Sequence, residues 1–147
     1  MTIKLEQCPM QNDIEIRIKY SVKNKTIERI VSMLKTINDK IECYSEDVLK
    51  KINVSDIYYI ESVDKKTFIY CEKENYQIKY RLYQLSEKLA DHDFVQISKY
   101  CILNINKLDT IKPLFNRRME TILTNGIRLF VNRNYFDSVK QKLQEGL

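Results

Sequence analysis

Glycine, proline, histidine and tryptophan are scarce in this chain of 147 residues, which contains two glycines, two prolines, one histidine and no tryptophan. Two glycines are too few for a glycine-rich loop that would hold the phosphates of a nucleotide. The one histidine, His92, has no cysteine at the spacing of a zinc site. Carboxylates are not clustered beside a partner base either. These absences argue against an enzyme and against a bound metal or other cofactor.

Long hydrophobic runs are also missing. No apolar stretch approaches the roughly 18 residues that a membrane-spanning helix needs. Residues 1–6 contain no long apolar segment, so no secretory signal is visible. The four cysteines are widely spaced and form no Cys-x-x-Cys pair, which favours ordinary reduced thiols. We therefore expect a cytoplasmic protein.

The composition that is present is that of a folded domain. Hydrophobic residues make up 44% and charged residues 31% of the chain, values typical of a globular protein rather than a disordered one. Ten tyrosines and five phenylalanines favour β-structure, because aromatic side chains suit pleated surfaces. The length allows one ordinary domain, or one domain with a small additional module.

The net charge of +5 is concentrated in the window 112–142, which holds seven cations against two anions. The cations are Lys112, Arg117, Arg118, Arg128, Arg133, Lys140 and Lys142, and the anions are Glu120 and Asp137. Such clustering is typical of a surface that binds nucleic acid. A solvated basic face without a partner would give the same composition, so the charge alone leaves both interpretations open.

The first 44 residues predict a small α+β module. Apolar and polar residues alternate at 2–6 and at 13–20, which predicts two strands that each bury one face. Apolar residues of the segment 26–38 recur with helical period, and Asn24 or Thr26 is a suitable N-cap. Packing, dimerisation and regulation are all possible roles for this module.

Residues 45–147 predict a second, mainly β domain. A strand is predicted at 41–44 and a polar joint with a short helical turn at 45–51. Further strands are predicted at 57–61, 67–71, 76–80, 94–97, 101–104, 108–114, 120–123 and 127–131, with helices at 82–90 and 136–143. Asn125 and Gly126 predict a type I′ hairpin turn, in which both central residues have positive φ. The N-cap of the terminal helix is Asn132 or Asn134.

Three further groups of residues have a structural and a functional interpretation. His92 lies between two aspartates but has no second soft ligand nearby, so we expect a surface loop histidine. Asn104 ends an apolar run and is expected to bind backbone where the strand turns. The tyrosines could stack on bases, but at alternating positions they are more often core residues and cross-strand pairs.

The order of motifs over about residues 45–145 resembles the LytTR-type DNA-binding domain of bacterial transcription regulators. The resemblance rests on four segments: Asp56-Ile-Tyr-Tyr-Ile-Glu-Ser62; Leu82, Leu85 and Leu89; Phe94-Val-Gln-Ile-Ser-Lys-Tyr-Cys-Ile-Leu-Asn104; and Asn125-Gly126 followed by Val131-Asn-Arg133. It implies mainly β structure with short helices, in the form of an elongated antiparallel sheet. Inter-strand loops of that family enter successive major grooves of duplex DNA.

Three loops of this chain are the expected DNA contacts by that resemblance. They comprise Lys65, Lys66 and Thr67; Ser98, Lys99 and Tyr100; and Asn132, Arg133 and Asn134. We add Arg117 and Arg118 at a predicted turn, although the side of the scaffold on which they lie does not follow from the sequence. Gln96 and Ser98 replace an arginine and a histidine that are frequent in the family, and Asn132 replaces a serine. The preferred DNA sequence therefore does not follow from the resemblance.

Residues 1–44 are too short for the phospho-acceptor receiver domain of many members. The chain therefore resembles the stand-alone type, whose members are often encoded beside a small membrane protein.

The first functional hypothesis is a sequence-specific duplex-DNA-binding transcription regulator that acts as a homodimer, or cooperatively, on repeated sites. In this hypothesis the cations contact phosphates, and Arg133 reads guanine. Asn132 and Asn134 either read adenine or cap the helix. The alternative is a non-enzymatic protein-interaction module whose basic C-terminal face is incidental.

Overall fold

The computed structural model describes residues 1–146, which form three α-helices and ten strands. The helices are α1 (Lys25–Asn38), α2 (Leu82–Lys88) and α3 (Phe136–Gly146). The strands are β1 (Lys40–Ser45), β2 (Val48–Asn53), β3 (Tyr59–Val63), β4 (Lys66–Tyr70), β5 (Asn75–Ile78), β6 (Phe94–Ser98), β7 (Cys101–Asn104), β8 (Leu108–Leu114), β9 (Arg118–Leu123) and β10 (Arg128–Val131). No helix within these residues is long and apolar enough to cross a membrane.

The strands form two sheets in which all pairings among the described residues are antiparallel. Seven strands form one sheet in the order β2-β1-β5-β4-β3-β7-β6, and three form the other in the order β10-β9-β8. Short 3-10 turns join several strands and precede α3. The prediction of a mainly β fold with short helices is confirmed, and of the predicted N-terminal α+β module the helix precedes the sheet.

Strand β7 lies between two hydrophobic cores, and all four of its residues are buried. Ile102 faces the first core, where it packs with Ile60, Ile69 and Leu85. Cys101 and Leu103 face the second core, together with residues of the three-stranded sheet and α3 such as Val131 and Val139. Because successive strand residues point to opposite faces, residues 101–103 between the two cores must all be apolar. The position of β7 between two cores thus explains the apolar run that precedes Asn104 in the sequence.

Helix α1 forms where the helical period predicts it. The side-chain oxygen of Asn24 accepts a hydrogen bond from the backbone N–H of Ile27 at 3.1 Å, which confirms Asn24 as the N-cap. The apolar stripe of the helix is only partly covered, since Val31 and Ile37 are exposed. Strand β1 follows directly and pairs with β2 and β5, so it belongs to the large sheet. The division of the chain at residues 44 and 45 stays a prediction.

Both N-terminal strand predictions are wrong. Residues 1–24 contain no helix or strand, although the segment 13–20 has a clear period of two. A strand needs a hydrogen-bonding neighbour, and within the described chain this segment has none. The predicted joint at 45–51 is also wrong, because these residues form the β1–β2 hairpin. Its turn residues Glu46 and Asp47 both have positive φ.

The hairpin predicted at Asn125 and Gly126 exists, but the predicted type I′ turn is wrong. Only Gly126 has positive φ, at 88°, and its N–H donates to the carbonyl of Leu123 at 2.8 Å. The N–H of Leu123 donates to the carbonyl of Ile127 at 2.9 Å, which leaves a three-residue loop. This geometry fits a type I turn followed by one left-handed residue, the common form of a three-residue hairpin loop.

Asn104 has the predicted structural role. Asn104 is 1% exposed. Its Nδ2 donates to the carbonyl of Ile57 at 2.8 Å, and its Oδ1 accepts from the N–H of Asn106 at 3.0 Å.

The prediction that tyrosines form cross-strand pairs is supported by Tyr59 and Tyr70, whose rings stack with centroids 4.3 Å apart.

His92 differs from the prediction of a surface loop histidine. Its side chain is only 16% exposed, and its Nε2 pairs with the carboxylate of Asp39 just beyond α1. His92 thereby fastens the end of α1 to the segment that follows α2. Sequence distance hides this contact, because the two residues are 53 positions apart.

Replacing Asn104 by alanine is expected to destabilise the fold by about 2–3 kcal/mol, because the buried carbonyl of Ile57 and the half-buried N–H of Asn106 lose their partner. Chemical denaturation should show this change as a lower midpoint with an unchanged slope. Asn12→Ala is the matched control, since Asn12 is exposed and a surface change should stay within about 0.5 kcal/mol. Equal stability of the two variants would contradict the structural role of Asn104.

Candidate nucleic-acid interface

Two turns with predicted contact residues lie side by side at one end of the large sheet. Strand β3 runs toward this end and β7 runs away from it, because the two strands pair antiparallel. The N–H of Ser62 donates to the carbonyl of Tyr100 at 2.8 Å, which joins the β3–β4 turn to the β6–β7 turn. Antiparallel pairing therefore brings together two loops that are separated by more than 30 positions in the sequence.

The segment 132–134 reaches the same end by a different backbone contact. The N–H of Asn132 donates to the carbonyl of Ile97 at 2.9 Å, next to the last residue of β6. The segment that follows β10 therefore lies beside the β6–β7 turn. We call the surface formed by residues 64–66, 98–100 and 132–134 the loop end.

The β3–β4 turn is a two-residue hairpin loop in an uncommon backbone conformation. Asp64 and Lys65 have φ of 51° and 65°, the left-handed values that a type I′ turn requires. Arg81, just before α2, donates from Nη1 to the carbonyl of Lys65 at 3.2 Å. Sequence reasoning missed Arg81, since no local pattern connects it to a turn 16 positions earlier. Its guanidinium holds the turn and adds positive charge beside it.

The β6–β7 turn is braced by its own side chains. Ser98 Oγ accepts from the N–H of Tyr100 at 3.2 Å, and Gln96 Nε2 donates to the carbonyl of Ser98 at 2.9 Å. The register between β6 and β7 shifts at this point, so the strand pair is irregular just before the turn. Lys99 lies over the ring of Tyr100, with Nζ 5.5 Å from the ring centroid. Lys99 and Tyr100 are both exposed.

Residues 132–134 present three exposed side chains at the entry to the 3-10 turn that precedes α3. Asn132 occupies the N-cap position of that turn, but its side chain makes no capping hydrogen bond. Asn134 lies inside the turn, beyond the N-cap position. The capping interpretation therefore does not account for the side chain of either asparagine.

Arg117 and Arg118 lie at the β8–β9 turn, next to the third loop. The guanidinium of Arg117 pairs with the carboxylate of Asp137 and lies 4.7 Å from the ring centroid of Phe136. Arg118 lies over Phe130, with its guanidinium carbon 5.6 Å from the ring centroid. The structure thus places Arg117 at the start of α3, with its charge already balanced within the chain, and Arg118 against β10.

Thr67 is the predicted contact residue that the loop end does not present. Thr67 is only 3% exposed and lies on the inward-facing side of β4, whereas the preceding Lys66 is exposed. Strand alternation explains the difference, because the side chain of residue 67 must point opposite to that of residue 66. We therefore leave Thr67 out of the proposed contact residues.

The loop end is electropositive. Lys65, Lys66, Lys99 and Arg133 are exposed and form no ion pair with any residue that the structure describes. The Cys101 thiol behind the β6–β7 turn adds no negative charge near pH 7. Burial, together with the carboxylate of Glu61, raises the pKa of the Cys101 thiol to about 12.

Ion pairs also determine which cations of the window 112–142 remain unbalanced. Both of its anions are matched with arginines: Asp137 with Arg117, and Glu120 with Arg128 at 3.0 Å. The remaining five cations therefore carry its net charge of +5. Arg133 is the one of these that lies within the loop end.

A comparison with protein families matches residues 47–144 to the family described as the LytTr DNA-binding domain. Two curated relatives illustrate the similarity. The Enterococcus faecalis sensory transduction protein LytT is 29% identical over 106 residues, which cover 72% of this chain and 44% of that protein. The Escherichia coli transcriptional regulatory protein YpdB is 30% identical over 79 residues, which cover 54% of this chain and 32% of that protein. The chain thus spans less than half the length of either relative.

The fold has a solved counterpart. A LytTr DNA-binding domain from Bacillus cereus superimposes with a TM-score of 0.65 and 27% sequence identity. The match covers 71% of this chain and 95% of that domain. The similarity therefore extends over nearly the whole of a solved DNA-binding domain and leaves part of this chain outside it.

Proposed function

The chain belongs to the LytTr DNA-binding domain family, a family of transcription regulators rather than enzymes, and we propose that its loop end reads a specific duplex-DNA sequence through the major groove. The observation that carries this proposal is the convergence of three exposed, cation-bearing loops at one end of the sheet. DNA as a partner would place the protein in the bacterial cytoplasm.

We assign phosphate contacts to the lysines of the first two loops. Lys65, Lys66 and Lys99 are exposed and without ion pairs among the described residues, so they can neutralise backbone phosphates without breaking internal contacts. Phosphate contacts fix the position and orientation of a protein on the duplex but carry no sequence information themselves. Ser98 and Tyr100 support this loop, with their hydroxyls as additional donors.

Base reading is assigned to the third loop. Arg133 is exposed and follows a backbone anchor at Asn132, so its guanidinium is carried by a fixed segment. Arginine recognises guanine through two hydrogen bonds to O6 and N7, and asparagine recognises adenine through N6 and N7. Asn132 is the better adenine candidate of the two asparagines, because it occupies a cap position without using its side chain as a cap.

Three loops side by side on one sheet end suit consecutive segments of a duplex. We propose that they enter successive major grooves on one side of the DNA, and that two copies of the protein bind a repeated site. Arg117 and Arg118 are proposed to contact the flanking backbone at most, since Arg117 is already paired with Asp137. A small membrane protein as regulatory partner is a further proposal, which rests on the family resemblance alone.

Selection from a pool of random duplexes tests the proposed function. The full chain should enrich a repeated motif at moderate salt, and its affinity should fall linearly on a logarithmic scale as salt increases. Binding that is weak, enriches no motif and disappears with salt would reject sequence-specific recognition. That result would favour the alternative of a protein-interaction module.

A further inference from the structure

The segment 13–20 has the pattern of a strand but no strand to pair with. Ile14, Ile16 and Tyr20 alternate with charged residues, and they are 86%, 59% and 53% exposed. Glu15 and Arg17 form an ion pair at 3.3 Å, as side chains on the same face of an extended chain do. A row of alternating apolar side chains is stable in water only when its face is covered. The segment is therefore suited to join a sheet.

An open edge is available on the large sheet. Strand β2 is the outermost strand on one side, and among the residues that the structure describes it pairs with β1 only. Val48 and Leu49 on this strand are 63% and 54% exposed. Edge strands are normally protected by lysine or other charged side chains, by proline, by a bulge or by a covering element. Strand β2 carries Lys50, which pairs with Glu74, and Lys51, but it contains no proline, and its register with β1 has no irregularity.

The segment and the edge are complementary in one antiparallel register. Placing Glu15 opposite Lys51 puts Ile14 beside Ile52 and Ile18 beside Val48. Ile52 is 7% exposed and pairs with Ile41 on the face that covers the first core. Ile16 would lie beside Lys50, and Arg17 beside the exposed Leu49. The apolar row of the segment would thus extend that face at Ile14 and Ile18, while Glu15 would meet Lys51.

We propose that residues 13–20 of one copy of this chain add an antiparallel strand to β2 of a second copy, and that the second copy reciprocates. The occupant of the edge is a second copy, because within a single chain both the segment and the edge stay open. The reciprocal exchange has the two-fold symmetry of most homodimers and fills both open edges at once. It does not depend on DNA binding.

Charge reversal across the proposed pair gives the first test, in sedimentation measurements on the full chain without DNA. Glu15→Lys and Lys51→Glu should each raise the dimer dissociation constant by about five- to thirty-fold, because each dimer contains the pair twice. The double variant should restore the wild-type value. A monomer at all concentrations would overturn the proposal, as would a dimer that neither reversal weakens.

Disulfide trapping gives the second test and identifies the chain that supplies the strand. A Cys8→Ser background removes the exposed native thiol. Chains with Glu15→Cys and chains with Lys51→Cys, carrying tags of different size, should form a mixed disulfide when combined. Lys19→Cys is the matched control, since in this register residue 19 lies about 13 Å along the strand from residue 51. An intramolecular disulfide in a monomeric double-cysteine chain would overturn the exchange.

Discussion

Arg133→Ala is expected to weaken binding to the selected duplex by about ten- to hundred-fold and to relax the preference at one base pair. The expected size follows from a bidentate arginine–guanine contact, which contributes about 1–3 kcal/mol of discrimination. Arg133 is the candidate because it is exposed, lacks an ion pair among the described residues and directly follows the anchored Asn132. Competition binding against the selected site and its single-base variants measures both effects.

Two control variants separate base reading from simple charge loss. Arg133→Lys keeps the positive charge but cannot make the planar two-bond contact, so it should recover part of the affinity and little of the specificity. Lys23→Ala removes an exposed cation that lies outside both the loop end and the segment 13–20 and should leave specificity unchanged. An Arg133→Ala variant that binds all duplexes equally less well, with the base preference intact, would contradict direct reading by this side chain.

Local signals explain why most of the fold could be predicted. The strand β8 was predicted with its observed bounds, and α1 differs by one residue at its start. Each depends on a period and on turn residues within a few positions. Asn104 was predicted for the same reason, because an amide at the end of an apolar run binds nearby backbone.

Contacts between distant segments explain what could not be predicted. The period of two at 13–20 was correct as a pattern, but whether a strand forms depends on a neighbour that local sequence does not specify. The tip of the β3–β4 turn depends on Arg81, and the placement of Asn132 depends on Ile97, 35 positions earlier. The type of a turn could not be predicted from local sequence either. Left-handed conformations occur at Asp64 and Lys65, where no glycine indicates them.

In the candidate site, too, some features could be predicted from the sequence and others depend on the fold. The family resemblance identified the three loops of the loop end, and the polar and basic residues between their apolar strands are consistent with that assignment. Side-chain direction was less accessible: Thr67 is buried by strand alternation, and Arg117 is occupied by Asp137 on α3. A sequence therefore supplies a set of possible contacts, and the fold decides which of them can face a partner.

Neutralising the three lysines of the loop end should weaken DNA binding strongly without changing its base preference. In the variant Lys65→Gln/Lys66→Gln/Lys99→Gln, affinity is expected to fall by a similar factor on selected and random duplexes. If all three lysines contact phosphate, the slope of log affinity against log salt should become shallower by about 2.7, since each contact contributes roughly 0.9. Folding should be retained, because none of the three forms an ion pair with a described residue.

A matched triple variant separates local phosphate contacts from the overall charge. Lys73 and Lys107 line a cavity near the opposite end of the large sheet, and Lys35 is exposed on α1, whose Ser32 donates to the carbonyl of Asp91 near that end. None of the three forms an ion pair with a described residue. Changing all three to glutamine removes the same charge, but beyond about 10 Å such exposed charges are largely screened from the DNA. The salt slope of this control should therefore match that of the wild type. If the loop-end variant keeps the wild-type slope as well, its lysines do not contact phosphate, even if its affinity is lower.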